Sequence, residues 1–92
     1  MRKLTHDLEN KRFVLKFENN LIASVQYTID SCIGMRLIYS EVPSELRGKG
    51  IGKELVLKTF EKLSNEGYEA TAVCSYIRAI AMRDPKWSTV IK

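Results

Sequence analysis

The spacing of the apolar residues changes from period two to a helical period near residue 50, and no other feature restricts the fold as much. Over residues 21–29, the side chains Leu, Ala, Val, Tyr and Ile alternate with a second set, which is typical of a β-strand. Beyond residue 50 the apolar side chains recur every three or four positions opposite a set of Lys and Glu, as in an amphipathic helix. The chain therefore combines strands with a helix.

Further segments have extended character. Residues 13–17 alternate in the same way and are joined to residues 21–29 by Glu-Asn-Asn, a turn sequence, so the two segments predict an antiparallel hairpin. Residues 35–42 predict a third strand, which stops at Pro43 because proline has no N–H to donate. Residues 68–74 predict a fourth strand, which follows the long helix.

A second, shorter helix is expected after the last strand. Gly67 ends the long helix, and Ser75 is placed to cap the second one, which ends at Asp84-Pro85. The order strand, strand, strand, helix, strand, helix predicts an α+β fold with a mainly antiparallel sheet and a short C-terminal helix. Its strand–helix–strand unit predicts a crossover that leaves two strands parallel. Trp87 is expected to cover the edge of the core.

The size and the charge restrict the class of protein. With 92 residues the chain can bury one modest core, so residues 1–92 are expected to form a single domain. The 15 Lys and Arg against 11 Asp and Glu give a net charge of +4, which favours an anionic ligand but is too mild to indicate a nucleic-acid partner. No apolar run approaches the roughly 20 residues of a membrane helix, and no secretory signal is present. We therefore expect a cytoplasmic protein with no membrane partner, and a monomer.

The cysteines and the histidine do not indicate a metal site. Cys32 and Cys74 lack the paired spacing of metal ligands, and His6 is the only histidine. Two cysteines in a chain without an export signal are expected to be reduced. We expect His6 to be an exposed residue near the terminus and Cys32 to be incidental.

The segment from Arg47 to Lys53 has the clearest chemical character. Its glycines allow the backbone to approach a ligand closely, because they have no Cβ. The first N–H groups of the helix that follows are unpaired, and the helix dipole adds partial positive charge. Arg47, Lys49 and Lys53 add full charges. The segment therefore predicts a pyrophosphate site.

Two familiar phosphate loops do not fit this segment. A Walker-type loop requires a glycine where Arg47 stands, and it requires Ser or Thr after Lys53, where this chain has Glu54. The dinucleotide-binding fingerprint requires G-x-G-x-x-G, whereas the glycines here are spaced by two. Neither loop type is therefore predicted.

The spacing of Arg47, Gly50 and Gly52 does match the Arg/Gln-x-x-Gly-x-Gly/Ala pattern of the GCN5-related N-acetyltransferases. The chain also has Glu-Val-Pro at residues 41–43 and Cys-Ser-Tyr at residues 74–76. With these it resembles the short single-domain branch of that family over nearly its whole length. The resemblance implies a small acetyltransferase-like fold, an acetyl-CoA cofactor and an amine acceptor that the sequence does not identify.

The resemblance also implies where the cofactor lies. The two strands of the strand–helix–strand unit separate, the pantetheine arm lies in the gap, and the pyrophosphate lies on the glycine loop. The implied cofactor contacts are Glu41, Val42, Arg47, Gly48, Lys49, Gly50, Ile51, Gly52 and Lys53. The thioester then lies beside Cys74, to which the resemblance assigns the role of a nucleophile that takes the acetyl group first.

The chain departs from the family pattern in ways that affect catalysis. Tyr39 stands where the short branch has a histidine that could deprotonate the cysteine. Residues 79–83 contain no tyrosine to act as the general acid of the larger acetyltransferases, and the helices that bind the acceptor in those enzymes are absent. A thiol with the ordinary pKa of about 8.5 is only a few per cent ionised at neutral pH, so transfer through Cys74 is expected to be slow.

Several interpretations stay open. Cys74 is either the nucleophile or a small buried hydrophobic residue. Glu41 is either a general base or a structural residue at the bulged end of its strand. For the whole chain, the alternative to an acetyltransferase is a non-enzymatic module that binds CoA or acyl-CoA. A small RNA-binding domain is supported by charge only, since the sequence lacks the aromatic pair that base stacking uses.

Overall fold

Within the residues that the structure describes, five strands form one sheet in chain order and three helices complete the fold. The computed structural model describes residues 3–31 and 34–91. The strands are β1 (Leu4–Asp7), β2 (Arg12–Lys16), β3 (Ile22–Asp30), β4 (Gly34–Glu41) and β5 (Ala70–Ala72). The helices are α1 (Ile51–Asn65), α2 (Ser75–Arg83) and α3 (Pro85–Ser88).

The sheet confirms the predicted α+β class. The strands from β1 to β4 pair antiparallel with their neighbours, and β5 pairs parallel with β4. The turn between β2 and β3 holds Asn19 and Asn20 at φ values of 60° and 61°, a conformation that asparagine tolerates better than most residues. Because α1 connects β4 to β5, these three elements form the predicted strand–helix–strand unit.

The core lies between the sheet and α1. The alternating residues Phe13 and Leu15 of β2 are fully buried, as are Leu55 and Phe60 of α1, so the two apolar periods meet in one interior. Trp87 is 4% exposed and its ring lies 5.6 Å from that of Phe60, which confirms that it covers the core edge. None of the helices in the described part of the chain has the length and apolar character needed to cross a bilayer.

Two strands differ from the prediction. The sequence does not predict β1, because four residues are too few to show a period. The predicted strand over residues 68–74 is too long, since only residues 70–72 belong to β5. Cys32, expected to be incidental, lies outside the described residues.

The C-terminal helices also differ from the prediction. The N-cap of α2 is Cys74 and not Ser75, although the helix ends at Arg83 as expected. The chain then forms α3, which the sequence does not predict. The Asp84 carboxylate accepts a hydrogen bond from the Lys86 N–H at 2.9 Å, a side-chain cap that stabilises a helix start.

The expectation that His6 is exposed is wrong. Its side chain is 4% exposed, because the alternation of β1 turns it inward together with Leu4. The imidazole stacks on Phe13 with the ring centroids 4.2 Å apart. Its Nδ1 is hydrogen-bonded to Glu66 at the end of α1, and its Nε2 to the Tyr27 hydroxyl of β3. The side chain therefore fastens the edge strand to the helix and to the sheet.

The partners of His6 assign its ring protons. A carboxylate only accepts, so Nδ1 carries the proton that it donates to Glu66. In the tautomer with its single proton on Nδ1, Nε2 accepts from the Tyr27 O–H. Tyr27 is 4% exposed. Burial above all, followed by the charges of Tyr68, Glu66 and Asp7, raises the pKa of Tyr27. The fold therefore favours the protonated phenol.

We predict that Tyr27→Phe lowers the free energy of unfolding by about 1 to 2 kcal/mol at neutral pH, because Nε2 of His6 loses its buried donor. Since the pKa of Tyr27 is raised in the folded state, its preference for the protonated form stabilises the fold fully below the ordinary pKa of about 10. That stabilisation is lost as the pH rises through the folded-state pKa. In urea unfolding, the difference in unfolding free energy between the native chain and Tyr27→Phe should therefore become smaller above about pH 10.

The exposed Tyr39 supplies the matched control. Tyr39→Phe should leave the unfolding free energy nearly unchanged at either pH, because this phenol is 49% exposed. If the difference in unfolding free energy between the native chain and Tyr27→Phe stays constant into the alkaline range, the proposed role of the protonated Tyr27 hydroxyl is wrong.

Candidate functional site

The strands β4 and β5 separate where β5 ends. Their parallel pairing continues as far as Leu37 and Ala72. The Leu37 carbonyl then accepts from the N–H of Val73 at 3.0 Å and from that of Cys74 at 3.1 Å, so one acceptor ends the ladder while the chain turns into α2. The resulting gap opens at the carboxyl ends of two parallel strands, where ligands bind in α/β units.

A β-bulge in β4 lies beside this separation. The register with β3 shifts between the pairs Gln26↔Tyr39 and Tyr27↔Leu37, so Ile38 has no residue opposite it. A bulge bends its strand and increases the local twist. The bend therefore falls one residue after the last pair that β4 makes with β5.

The end of β4 remains bound to β3 beyond the bulge. Val25 pairs with Ser40, and Ser24 pairs with Glu41. The bulge at Ile38 lies three residues before Glu41, so Glu41 ends the bulged half of β4. Beyond the last β4–β5 pair, no described residue pairs with β4 on that side. Its backbone groups are therefore available to an extended ligand.

The loop that follows supplies backbone donors at the start of α1. Gly48 and Gly50 have φ values of 80° and 76°, in the left-handed region that favours glycine. Gly50 is the N-cap of α1 and has no side chain to satisfy the helix. The first intrahelical hydrogen bond runs from the Glu54 N–H to the Gly50 carbonyl at 3.1 Å. The N–H groups of residues 51–53 precede that bond, and such groups bind anions.

The cations of the loop have two different roles. The Arg47 Nε–H donates to the Val42 carbonyl at 3.2 Å, so this side chain closes the loop onto the end of β4. Lys49 and Lys53 are exposed, and neither side chain has a hydrogen bond or ion pair with another described residue. These two ammonium groups are therefore available to a phosphate.

Glu45 lies two residues before the start of the loop at Arg47. Its own backbone N–H, and then the Ser44 hydroxyl that donates to it at 2.9 Å, lower the pKa of Glu45 below the ordinary value. The carboxylate of Glu45 is therefore stabilised by its own backbone N–H and by the Ser44 hydroxyl, and not by the lysines of the loop.

Gly52 has a different purpose from the other two glycines. Its backbone is helical, but a Cβ there would lie 2.7 Å from the Tyr76 hydroxyl oxygen, whereas a Cβ at Gly48 or Gly50 would meet nothing within 4 Å. Tyr76 belongs to the first turn of α2. The absence of a side chain at Gly52 therefore allows the start of α2 to pack onto the start of α1.

Cys74 lies at the N-cap of α2, beside the gap. It is partly buried and packs against the edge of the core. The first hydrogen bond of α2 runs from the Arg78 N–H to the Cys74 carbonyl at 3.0 Å, so the N–H groups of residues 75–77 precede it. Negative charge that develops at such a position is favoured by the helix dipole. Partial burial is compatible with both interpretations of Cys74.

Acid–base groups are sparse around the gap. His6, the only histidine, lies on β1 at the opposite edge of the sheet from β5. Four strand spacings of about 4.8 Å separate these edges by about 19 Å, so His6 cannot take a proton from Cys74. Tyr39 and Glu41 of β4 are both exposed. Among the described residues no group of His, Cys, Asp and Glu is arranged to hold a metal ion.

Comparison with protein families decides the relationship. The family described as GCN5-related N-acetyl-transferase matches residues 12–90, from β2 to beyond α3. The chain belongs to this family. The resemblance inferred from Arg47, Gly50 and Gly52 is thereby confirmed. Members of the acetyltransferase family generally use acetyl-CoA. Among curated proteins no significant match is found.

Two structural features of the site in this acetyltransferase-family chain are not predicted from its sequence. The Leu37 carbonyl accepts two hydrogen bonds, from Val73 and Cys74. The sequence does not predict this, because every residue has a backbone carbonyl. The contact of Tyr76 with Gly52 had one signal, the Cys-Ser-Tyr motif, which shows that a tyrosine is present but not what it touches.

We predict that Gly52 and Tyr76 are energetically coupled. Gly52→Ala raises helix propensity by about 1 kcal/mol but forces the Tyr76 hydroxyl away. In a Tyr76→Phe background the nearest remaining ring atom lies 3.4 Å from the new Cβ, which is an ordinary contact. Gly52→Ala should therefore be more stabilising in that background by roughly 0.5 kcal/mol, measured as a double-mutant cycle in urea.

Gly50→Ala is the matched control for that cycle. Its Cβ meets nothing, but the φ of 76° is strained for alanine, so it should destabilise by roughly 1 kcal/mol with either residue at position 76. A cycle between Gly52 and Tyr76 that is additive within error would refute the contact.

Proposed function

We propose that this chain binds acetyl-CoA in the gap between β4 and β5 and passes the acetyl group to an amine, with Cys74 as the intermediate acceptor. The observation that carries the proposal is the position of the gap and of the glycine loop at the same end of one parallel strand pair. The family supports the cofactor, because its members generally use acetyl-CoA. One domain, residues 1–92, supplies all the proposed contacts.

In this proposal the glycine loop binds the pyrophosphate of the cofactor, and the end of β4 binds its pantetheine arm. The pyrophosphate accepts from the N–H groups of residues 51–53, which the left-handed Gly48 and Gly50 leave uncovered. Lys49 and Lys53 add charge. The amide groups of the pantetheine arm pair with the backbone of residues 41–42 along the free edge of β4, as an added strand would. Arg47 acts by holding the loop to the end of β4.

The proposed chemistry has two steps. The acetyl group first moves from the CoA sulfur to the Cys74 sulfur, and an amine then displaces it from the cysteine. The Cys74 thiolate attacks the carbonyl carbon of acetyl-CoA, a new S–C bond forms, and the bond to the CoA sulfur breaks, so CoA leaves as a thiolate that takes up a proton. A neutral amine then attacks the acetyl-cysteine. The C–N bond forms, the Cys74 S–C bond breaks, and no electron acceptor is required. The N–H groups of residues 75–77 are placed to stabilise negative charge in both additions.

The proton that the amine loses is transferred at an exposed site. Glu41 at the end of β4 and solvent water in the open gap are the acceptors for the proton that the amine loses. No imidazole contributes, because His6 is fastened at the far edge of the sheet.

The alternative function is a module that binds acetyl-CoA or CoA without turnover. The remoteness of His6 from Cys74 and the presence of Tyr39 at the position of the family's histidine favour it. The two functions share the cofactor site and differ in whether an acetyl group leaves the cofactor.

We predict that Gly50→Asp abolishes acetyl-CoA binding while the fold is kept. Aspartate accepts the left-handed conformation better than most residues and favours the N-cap. Its carboxylate would occupy the position proposed for the pyrophosphate. Calorimetric titration should detect binding to the native chain and none to the variant.

Gly50→Asn is the matched control, since it has the same shape without the charge and should retain measurable binding. Amide resonances of residues 41–53 in the native chain should shift on addition of acetyl-CoA, and raised salt should weaken the binding without abolishing it. If those resonances stay in place at saturating acetyl-CoA, the proposed cofactor site is wrong.

We predict that incubation with acetyl-CoA acetylates Cys74 slowly at pH 7. The rate should rise about tenfold per pH unit until the thiol is ionised, since only the thiolate attacks. Tyr39→His should accelerate the reaction at neutral pH by supplying a base near the gap. Intact-mass spectrometry with peptide mapping measures the adduct.

The second cysteine provides the control for this experiment. Cys74→Ala should remove the adduct and preserve cofactor affinity, whereas Cys32→Ala should retain the adduct. Binding without any acetylation of Cys74 or of an added amine favours the non-enzymatic module. An amine acetylated equally well by Cys74→Ala means direct transfer and leaves Cys74 as a packing residue.

A further inference from the structure

Three exposed apolar side chains surround the start of the gap between β4 and β5. The last parallel pair joins Leu37 to Ala72, and the next residues along the two strands are Ile38, which is 39% exposed, and Val73, which is 56% exposed. Tyr39 follows Ile38 and is half exposed. In the described part of the chain, these are three of the eight large hydrophobic side chains that are exposed, so exposed apolar surface is concentrated at the gap.

Ile38 and Val73 point away from the helices. Within the described residues, each of the three helices adds its buried apolar side chains to one core cluster, which also contains Leu37 and Ala72. Successive side chains of a strand point to opposite faces, so the residues that follow Leu37 and Ala72 point to the other face of the sheet. We call this the outer face, and no helix in the described part of the chain covers it.

The bulge in β4 places Tyr39 on the outer face as well. Strict alternation would turn Tyr39 back toward the core after Ile38. The register shift instead pairs Tyr39 with Gln26, which follows the core residue Val25 along β3 and so points to the outer face. Ile38 and Tyr39 are therefore exposed on one face as consecutive residues, which a regular strand does not allow.

Polar residues border this outer apolar patch, which consists of Ile38, Tyr39 and Val73. On one side, Arg36 pairs with Thr71 in the row before the last β4–β5 pair. On the other side, Glu41 lies two residues beyond Tyr39. An exposed apolar surface with a polar rim is typical of a binding site. Because the patch itself carries no charged group, it suits an aliphatic ligand.

We infer that the outer apolar patch binds the acyl chain of thioesters longer than acetyl-CoA, so that short-chain acyl-CoA molecules are donors for this protein. The inference rests on the proposed function, because that function places the thioester beside Cys74. Val73 directly precedes Cys74, and Ile38 directly follows Leu37, whose carbonyl accepts from the Cys74 N–H at 3.1 Å. An acyl chain that extends from a thioester in the gap toward the outer face therefore meets Ile38 and Val73 first.

The patch suits an acceptor amine less well than an acyl chain. An amine requires hydrogen-bond partners, and the side chains of the patch offer only the hydroxyl of Tyr39. The carboxylate of Glu41 lies two residues further along β4, which is about 7 Å at 3.3 Å per residue. The amine is therefore expected beyond the patch, and the acyl chain on it.

The test measures the affinities of acetyl-CoA, butanoyl-CoA and hexanoyl-CoA by calorimetric titration. Complete burial of a methylene group favours binding about fourfold, and about half of that burial is expected on an open face. Each added methylene should then tighten binding about twofold, so the native protein should bind hexanoyl-CoA roughly tenfold more tightly than acetyl-CoA.

Variants of the patch locate the acyl chain. The double variant Ile38→Thr/Val73→Thr removes apolar surface and keeps the β-branched shape that suits a strand. It should bind hexanoyl-CoA and acetyl-CoA with nearly equal affinity. Each single variant should show a smaller ratio of the two affinities than the native protein, which keeps the test decisive if the double variant does not fold.

Ile29→Thr is the matched control. Ile29 is half exposed and pairs with Met35, three residues before Ile38, which places it about 10 Å from the patch along the strand direction. The substitution removes the same apolar surface from the same sheet. It should keep the preference for hexanoyl-CoA.

The outcomes separate this inference from the proposed function. Equal affinities of the native protein for the three thioesters, or a preference that survives in the patch variants or is lost equally in Ile29→Thr, would overturn the inference and leave the cofactor site intact. If affinity does not depend on acyl length and the double variant acetylates hexylamine more weakly than the native protein, the patch binds the acceptor and the inference is wrong. Failure of all three thioesters to bind would overturn the inference together with the proposed function.

Discussion

The site depends on how the parallel pairing of β4 and β5 ends. The Leu37 carbonyl accepts from both Val73 and Cys74, so the ladder stops on one atom while β4 continues to Glu41. An early stop leaves the last residues of β4 with one paired edge and one unpaired edge. The same turn of the chain places Cys74 at the start of α2. A ladder extended by two more residues would close the gap and move the thiol into a strand.

The three helices differ in how their first N–H groups are satisfied. α3 is capped by a side chain, with Asp84 accepting from the Lys86 N–H. The N-caps of α1 and α2 are Gly50 and Cys74, and neither makes a side-chain capping bond. A helix start without a cap leaves donors that water or a ligand must satisfy. Both of these starts lie at the carboxyl ends of β4 and β5, so their donors converge on one region of the molecule.

The sequence predicts well what repeats along the chain. The period-two segment of β3 and the helical period of α1 are local patterns, and the structure contains them. It predicts poorly what depends on contacts distant in the chain. His6 looks like a terminal residue until β1 pairs with β2 and places it beside Glu66, sixty positions away. Tyr76 meets Gly52 only because α1 and α2 begin side by side.

The burial of His6 removes its imidazole from the candidate site. A four-residue edge strand gains little from its own ladder, and in this chain the imidazole that bridges Tyr27 and Glu66 holds it in place. The side chain best suited to acid–base chemistry near neutral pH is thereby committed to the architecture. At the other edge of the sheet, the gap has donors for phosphate and carbonyl oxygens in its backbone. Tyr39 and Glu41, on the part of β4 beside this gap, are exposed to water. Any catalysis at Cys74 must therefore follow the ionisation of the thiol itself, and a base introduced at Tyr39 would act where the fold already leaves room for one.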